Sequence, residues 1–402
     1  MKTLLQINET VNVGSTGRIA AQIGDLAISK GWKSIVAYGR ENRQCDSLLI
    51  RVGGKKDILW HVLLTRLLDR HGLASIYPTS SLVRQIKDIR PDIIHLHNIH
   101  GYYLNYEVLF QYLGQINTPI VWTLHDCWPL TGHCSFFEGV GCDKWKTGCG
   151  HCPYLNDYPR SLWVDRSVKN YQQKKRAFTL PKNVTIVPVS EWLGNLVKQS
   201  FLSKYRVHVI HNGTDLDAFK PQNIDLRKRY SVKNDETIVL GVASVWHERK
   251  GLKDFVKLSE SENIKVILVG VTEEIKKSLP DSIIAINRTN SQQELAELYS
   301  GADVFVNPTY DDNFPTTNIE ALACGTPVVT YNTGGSPEAV DENTGIVVEK
   351  GDIKGLLAAI EILSKKNRNE IRNACRSRAE KLYNKNDRFK DYINLYEELL
   401  HE

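Results

Sequence analysis

Short apolar runs separated by helix-length amphipathic stretches recur along the whole chain, and this alternation constrains the fold more than any other feature. Residues 4–7, 34–38, 92–97, 120–124, 184–189 and 207–210 read as strands of one array. Residues 238–243, 266–269, 283–286, 304–306 and 328–330 read as strands of a second. Most of these runs are apolar at successive positions, as expected of parallel strands buried on both faces. Helical patterns at 19–30, 81–89, 104–113 and 192–199, and a polar one at 161–178, separate the first set. Patterns at 252–260, 292–299, 316–323, 353–363 and 368–383 punctuate or follow the second, and a last helix occupies 389–400. A chain of 402 residues exceeds one ordinary core. Two successive βαβ arrays therefore predict an α/β protein of two doubly wound, Rossmann-like domains facing each other across a cleft. The expected boundaries are 1–212 for the first domain, 213–222 for a linker opened by the Asn212-Gly213 turn signal, and 223–386 for the second.

The densest chemistry lies in Asp311-Asp312-Asn313-Phe314-Pro315-Thr316-Thr317-Asn318-Ile319-Glu320. It follows a short apolar strand and opens a helix that breaks at Gly325-Thr326-Pro327. Asp312 and Glu320 thus bracket a loop at the carboxyl end of a strand, where open α/β sheets bind ligands. The helix start offers backbone N–H groups and a positive dipole end to a phosphate. Carboxylates suit hydroxyls, since a charged acceptor strengthens an O–H donor's hydrogen bond. A phosphate seat flanked by two such acids is what a sugar nucleotide needs. Gly14-Ser15-Thr16-Gly17-Arg18 repeats the strand–turn–helix arrangement near the start of the chain, without the spacing of a dinucleotide fingerprint. His125-Asp126 sits at the end of strand 120–124, and His95, His97 and His100 crowd another strand end as secondary candidates.

The net charge of +5 is unevenly placed. Residues 1–212 carry 26 Lys and Arg against 15 Asp and Glu, or +11; the remaining 25 and 31 give −6. A basic first half suits an anionic lipid surface or a phosphate-bearing acceptor. No apolar run approaches the roughly 18 residues of a membrane span, and the N-terminus lacks a signal-peptide pattern, so the expected location is cytoplasmic, with peripheral contact on the inner face of an anionic membrane. Residues 57–68 could form an amphipathic helix lying on such a membrane. Their many apolar positions favour instead a core helix packed on the sheet with a basic solvent edge. No nucleic-acid motif accompanies the charge, so nucleic acid is not expected as a partner.

Five of the eight cysteines fall between Cys127 and Cys152. In a chain without a secretion signal such a cluster reads as a metal site before a disulfide framework. Cys149-Gly150-His151-Cys152 has knuckle spacing, and Cys134 with Cys142 would complete a four-thiolate structural zinc site. Free thiols and disulfides are the alternatives. Trp128, Phe136, Phe137, Trp145 and Tyr154 interleave this loop, as stacking groups for a sugar acceptor or as plain packing.

With these motifs in place the chain resembles glycosyltransferase family 4, the retaining transferases of GT-B fold, over most of its length and more narrowly the transferases of bacterial surface polysaccharides. The marker is the two-acid stretch Asp312 to Glu320 followed by Ala321-Leu322-Ala323-Cys324-Gly325-Thr326-Pro327. The family usually has Glu-Gly where this chain has Asp312-Asn313. The resemblance implies that Asp312, Asn313 and Phe314 lie at the donor sugar, that Thr316 and Thr317 give N–H groups to the diphosphate, and that Glu320 binds the ribose. Lys250, in Val245-Trp246-His247-Glu248-Arg249-Lys250-Gly251, resembles the lysine that neutralises the diphosphate. Many members carry an Arg where Ser244 stands here, and Arg249 is the expected substitute. Gly14 and Gly17 match the family's glycine turn, and His125 a histidine beside the donor sugar. The final segment, 387–402, resembles the helix that crosses back onto the first domain. The implied activity is transfer of a sugar from a nucleotide diphosphate sugar to a hydroxyl of a glycan or lipid-linked acceptor in surface polysaccharide synthesis, with no cofactor required. A sugar-nucleotide epimerase or phosphorylase on the same fold, and more remotely a zinc-organised nucleic-acid-binding protein, are the competing readings.

Overall fold

In the computed structural model, which describes residues 1–402, every apolar run of the first half except the last becomes a strand of at least four residues. The strands of the first half are β1 (Thr3–Asn8), β2 (Lys33–Tyr38), β3 (Leu48–Arg51), β4 (Ile93–Leu96), β5 (Ile120–Leu124), β6 (Val184–Pro188) and β7 (Arg206–Val207). They pair in parallel in the order β3-β2-β1-β4-β5-β6-β7. The second half forms β8 (Thr237–Val242), β9 (Ile264–Val269), β10 (Ile284–Ile286), β11 (Val304–Asn307), β12 (Val328–Tyr331) and β13 (Gly345–Val348). These are also parallel, in the order β10-β9-β8-β11-β12-β13. Both sheets are of the Rossmann type, α/β with helical crossovers. The chain divides into one unit of Met1–Ile210 with Phe389–Glu402 and a second of His211–Arg388. The segment after Ile210 is part of the second unit, where Thr214 pairs with Asn384 and Phe219 is buried against Tyr299.

Each sheet reverses its winding once, between β1 and β4 in the first and between β8 and β11 in the second. Connections leaving the two strands at such a point run to opposite sides, so their loops part and leave a crevice at the carboxyl ends. The loop after β8 carries Arg249 and Lys250, and the loop after β11 carries Asp312 and Phe314.

The sequence pattern does not reveal β3 and β13, both edge strands, and β3 is largely exposed. The ladder expected at 207–210 shortens to Arg206–Val207, although His208 and Ile210 still donate to Ile186 O and Pro188 O. The helix expected from residue 161 begins at Ser167, because Asp165 Oδ1 accepts from the Ser167 N–H and holds a turn there.

A larger correction concerns 57–68. The helix Lys55–Leu68 buries His61 and Thr65, while Leu59, Trp60, Leu63 and Leu68 are exposed. Its two buried residues are polar: His61 Nδ1 meets Ser75 Oγ at 2.9 Å, and His61 Nε2 accepts from Gly72 N at 3.0 Å. The expected core helix therefore fully buries only two polar residues, while Ile58, Val62, Leu64 and Leu67 are half-buried and four apolar residues face out.

The last helix, Lys385–His401, begins in the second unit and continues in the first. There Phe389, Tyr392, Ile393, Leu395 and Tyr396 join Leu4, Ile93, Val121 and Val187 in one core. A buried hydrogen-bond chain locks it: Tyr396 Oη to His95 Nδ1 at 2.6 Å, His95 Nε2 to Thr123 Oγ1 at 2.8 Å, and Thr123 Oγ1 to Tyr392 Oη at 3.2 Å. Burial holds His95 well below its usual pKa, so the ring is neutral and needs one donor and one acceptor partner. Tyr396→Phe keeps the ring but leaves His95 Nδ1 unsatisfied. It is expected to cost about 1–3 kcal/mol, read as a lower urea midpoint at unchanged slope.

Candidate functional site

In the second unit the loop after β11 is held from three sides. Arg249 Nη1 donates to Asp311 O at 2.5 Å, and Arg249 O accepts from Tyr310 N at 2.8 Å. Gly251 has φ +73°, and a Cβ there would stand 2.2 Å from Pro308 O. Gly334 has φ +52°, and a Cβ there would stand 1.7 Å from Asp312 O. Only glycine permits both the left-handed backbone and the close approach at these two places. The backbone of Asp312 is thus fixed between Gly334 and Arg249.

Lys250 Nζ and Asp312 Oδ2 form an ion pair at 2.5 Å, with both side chains mostly but not wholly buried. The two residues are distant in sequence, and the crevice between β8 and β11 brings them together. Pro315 precedes the helix Thr316–Ala323, whose N-terminus carries no side-chain cap and no acid in its first turn. The N–H groups of Thr316 and Thr317 head this positive end. Asn318 is fully buried and pins the helix: its Oδ1 accepts from Asn307 Nδ2 at 2.8 Å, and its Nδ2 donates to Ser336 O at 3.4 Å. Phe314 is buried against His211 and Tyr383. Glu320 lies one turn further on and accepts from Tyr299 Oη at 3.1 Å. Asp312, Lys250, Arg249, Asn313, Phe314, Thr316, Thr317 and Glu320 thus all lie on this one loop–helix segment or on the adjoining Arg249-Lys250 loop. Ser244 is exposed.

Sequence reasoning missed the support beneath the segment. Buried Asp254 accepts from Tyr310 Oη at 2.9 Å and Tyr331 Oη at 3.1 Å, and His211 Nε2 pairs with Glu338 at 2.9 Å. Nothing local marks Asp254. The Pro337-Glu338 dipeptide is the only trace of the second pair.

In the first unit, Gly14 opens the helix Gly14–Ser29 with φ +67°. Gly17 lies so close to Thr10 that a Cβ would stand 2.6 Å from its Oγ1. The strand-end histidines form a relay. Gln6 Nε2 donates to Ala20 O at 2.8 Å, so Gln6 Oε1 accepts from His97 Nε2 at 3.1 Å. His97 Nδ1 then accepts from His125 Nε2 at 3.3 Å, with the two rings stacked. Burial keeps both rings neutral, holding His97 well below its usual range and His125 at about 4. This network assigns the His125 proton to Nε2 and a lone pair to Nδ1. Next to it, burial would raise the Asp126 carboxyl, but His100 at 2.9 Å and the Trp128 N–H at 2.9 Å bring it below its usual value. Tyr158 Oη joins His100 Nδ1 at 3.0 Å, a contact that the sequence did not signal.

The cysteine loop has only three short 3-10 turns, Trp128–Leu130, Glu138–Val140 and Lys144–Lys146. Cys134, Cys142, Cys149 and Cys152 line one small cavity with Phe137 and Trp145, which stack at 5.3 Å. None of the eight cysteines forms a disulfide. No three His, Cys, Asp or Glu side chains are grouped so as to hold a metal ion, so the expected zinc site finds no support. The Cys134 thiol is hydrogen-bonded to Cys152, and Cys149 Sγ faces the Gly132 N–H at 3.2 Å. Trp128 and Trp145 are fully buried and therefore pack the loop rather than offer a stacking face. No helix is long and apolar enough to cross a membrane.

Two family models match the chain. Residues 28–218 match Glycosyltransferase Family 4, and residues 223–382 match Glycosyl transferases group 1. Among curated proteins it is 24% identical to Escherichia coli (strain K12) WcaC, named as a colanic acid biosynthesis glycosyl transferase, over 98% of this chain and 100% of that one. It is 29% identical to Staphylococcus aureus CapM, named as a capsular polysaccharide biosynthesis glycosyltransferase, over 44% of this chain and 51% of that one. Among solved structures, sucrose-phosphate synthase of Thermosynechococcus elongatus superposes with a TM-score of 0.71 at 19% identity over the whole of both chains. Anabaena HepE in complex with UDP gives 0.67 at 14% identity, covering 99% of this chain and 100% of that one.

The buried histidines give the first unit a defined pH response. His61 is held at about 3 and His125 at about 4, and His71, His95 and His97 well below 6.5, in each case chiefly by burial. All five folded values lie below the unfolded one, so the unfolded chain binds more protons as the pH falls through 6.5. Their contribution is complete above that pH and is lost progressively on acidification toward the folded values. His133 runs the other way, since Asp69 outweighs its burial and raises it. The urea midpoint should therefore fall between about pH 7 and about pH 5, with net uptake of more than one proton on unfolding. A flat midpoint over that interval would contradict the neutral, buried assignment.

Proposed function

The chain is a family 4 glycosyltransferase of GT-B fold, and we propose that it transfers a hexose from a nucleoside diphosphate sugar to a hydroxyl of a glycan or lipid-linked acceptor, with retention at the anomeric carbon. The observation that carries this reading is the Lys250–Asp312 ion pair on a loop that runs into the uncapped start of helix Thr316–Ala323. A lysine ammonium has three donors, so Lys250 can hold Asp312 and still donate to a phosphate oxygen. Together with the Thr316 and Thr317 N–H groups it would neutralise charge that builds on the departing diphosphate. Arg249 supplies charge and, through Asp311 O, fixes the loop. Asp312 would bind the sugar hydroxyls beside Asn313 and Phe314, and Glu320 the ribose. Such a site needs no metal to offset the diphosphate.

In the proposed step the acceptor oxygen bonds to the anomeric carbon on the face from which the diphosphate leaves. The bond from that carbon to the phosphate oxygen breaks with its electron pair going to the diphosphate, which also takes the acceptor proton. His125 and the Gly14–Gly17 turn are the first unit's proposed contributions to sugar and phosphate binding, by their resemblance to the family's residues. The polysaccharide relatives favour an acceptor in surface polysaccharide assembly.

A thermal-shift panel of nucleoside diphosphate sugars is expected to contain at least one stabilising member. With that donor, Glu320→Ala should weaken binding about tenfold through loss of a charge-assisted hydrogen bond. Lys250→Ala should lower kcat/KM by about a hundredfold or more. Asp312→Ala should lower turnover more than binding. Full donor binding and turnover in all three variants would remove the donor site from this segment. An epimerised donor with no nucleotide release would replace transfer by epimerisation.

A further inference from the structure

The second unit holds a cavity that sugar transfer leaves unused. It measures about 140 Å³ and lies at the amino ends of β11 and β12, where Asp303 and Pro327 precede the strands. The loop that carries Asp312 leaves the carboxyl end of β11, so cavity and crevice lie at opposite ends of the same strands. Gly325, which also lines the cavity, follows helix Thr316–Ala323. The 8 residues of that helix span roughly 12 Å, and Thr316 stands at its other end.

The lining is unbalanced in charge. Lys366, Arg368 and Arg372 share the cavity with one acid, Asp303. That acid is already engaged: its Oδ2 accepts from Arg227 Nη2 at 2.6 Å and from Ile238 N at 2.8 Å, and its Oδ1 reaches Arg368 at 3.3 Å. Lys366 Nζ meets a backbone carbonyl, Glu342 O, at 3.1 Å. Arg372 Nη2 donates to Gln222 O at 3.2 Å and to Ser300 O at 3.0 Å. Neither cation has a carboxylate partner. Burial, and after it the charge of Arg368, lower the Arg372 guanidinium below its usual pKa. Two guanidiniums held together without an anion of their own repel, and a bound anion removes that repulsion. The cluster also runs against its surroundings, since residues 213–402 carry 25 Lys and Arg against 31 Asp and Glu.

The fold fixes Arg372 in place. Gly325 has φ +82°, and a Cβ there would stand 2.4 Å from Arg372 Cγ, so glycine admits the side chain. With Nη2 on two carbonyls, Nε and Nη1 remain for a ligand. A guanidinium fork matches the oxygens of a phosphate, and three cations suit a dianion with several acceptors better than a single carboxylate. Helix Arg368–Leu382 begins at the cavity and adds the positive end of its dipole. A cavity of roughly 150 Å³ holds one benzene-sized molecule, so this one admits a phosphate with at most a small substituent.

We propose that the cavity between Lys366, Arg368 and Arg372 is a second anion site, which binds a phosphate group as inorganic phosphate or as a small phosphate monoester. The site is separate from the donor crevice and does not depend on the donor-site reading.

The test is calorimetric titration of the full chain with inorganic phosphate and with glycerol 3-phosphate, at ionic strength held constant with sodium chloride. Each titration is run on the wild type and on Lys250→Ala, which removes any phosphate held in the donor crevice. Saturable binding of at least one probe at millimolar concentration or below is expected in both proteins, and the tighter probe identifies the source of the phosphate. In the Lys250→Ala background, Lys366→Ala with Arg368→Ala should weaken that binding about tenfold or more, while Lys366→Arg with Arg368→Lys should retain it. Both side chains are exposed, so the melting temperature without phosphate should not change. Absence of saturable binding of either probe would overturn the proposal. So would binding that Lys250→Ala abolishes, or that persists at full strength in the double alanine variant.

Discussion

The reversal of winding between β8 and β11 is the constraint on which the candidate site depends. Parallel strands on either side of that point send their connections apart, so two loops distant in sequence end beside one crevice. One brings Lys250 and the other Asp312, and the ion pair joins them. The rest of the local structure keeps the second loop where the first can reach it. Gly251 admits Pro308 O, Gly334 admits Asp312 O, Arg249 ties Asp311, and Asp254 holds Tyr310. Each of these residues holds a short, sharply turned backbone against the uncapped start of helix Thr316–Ala323.

The first unit uses the same topology for a different local chemistry. Its strand ends carry buried imidazoles rather than ions. A base removed from water gives up its charge unless a carboxylate supports it. His95, His97 and His125 have lost theirs, while His133, beside Asp69, is favoured in its charged form. Neutral rings transmit direction as well as packing: Gln6 orients His97, and His97 orients His125. On the same face, with its ring 3.8 Å from that of His97, His95 receives Tyr396 from the last helix. One set of histidines thus joins the C-terminal closure to the strand end where His125 sits.

Much of this was legible in the sequence. Strands buried on both faces announce themselves by uninterrupted apolar runs, and all the central strands were found that way. β3 and β13 escaped because an edge strand needs only a short or half-exposed run. The loop–helix segment from Asp312 to Glu320 was legible as chemistry, but its pairing with Lys250 was not, because no local pattern encodes a contact made by topology. The helix at 55–68 misled for a related reason. Counting apolar residues cannot say which face turns inward when the inward partners, Ser75 and Gly72, arrive later in the chain. The cysteine spacing suggested a zinc site, yet in the folded loop the Cys134 thiol is hydrogen-bonded to Cys152 and Cys149 turns to a backbone amide.

The central claim is that a nucleoside diphosphate sits between Lys250 and the start of helix Thr316–Ala323. A crystal structure of the chain with a nucleoside diphosphate bound tests it most directly. The account predicts phosphate oxygens within about 3 Å of Lys250 Nζ and of the Thr316 or Thr317 N–H, with the ribose hydroxyls on Glu320. A diphosphate bound elsewhere, with the Lys250–Asp312 pair undisturbed and no phosphate at the helix start, would contradict it.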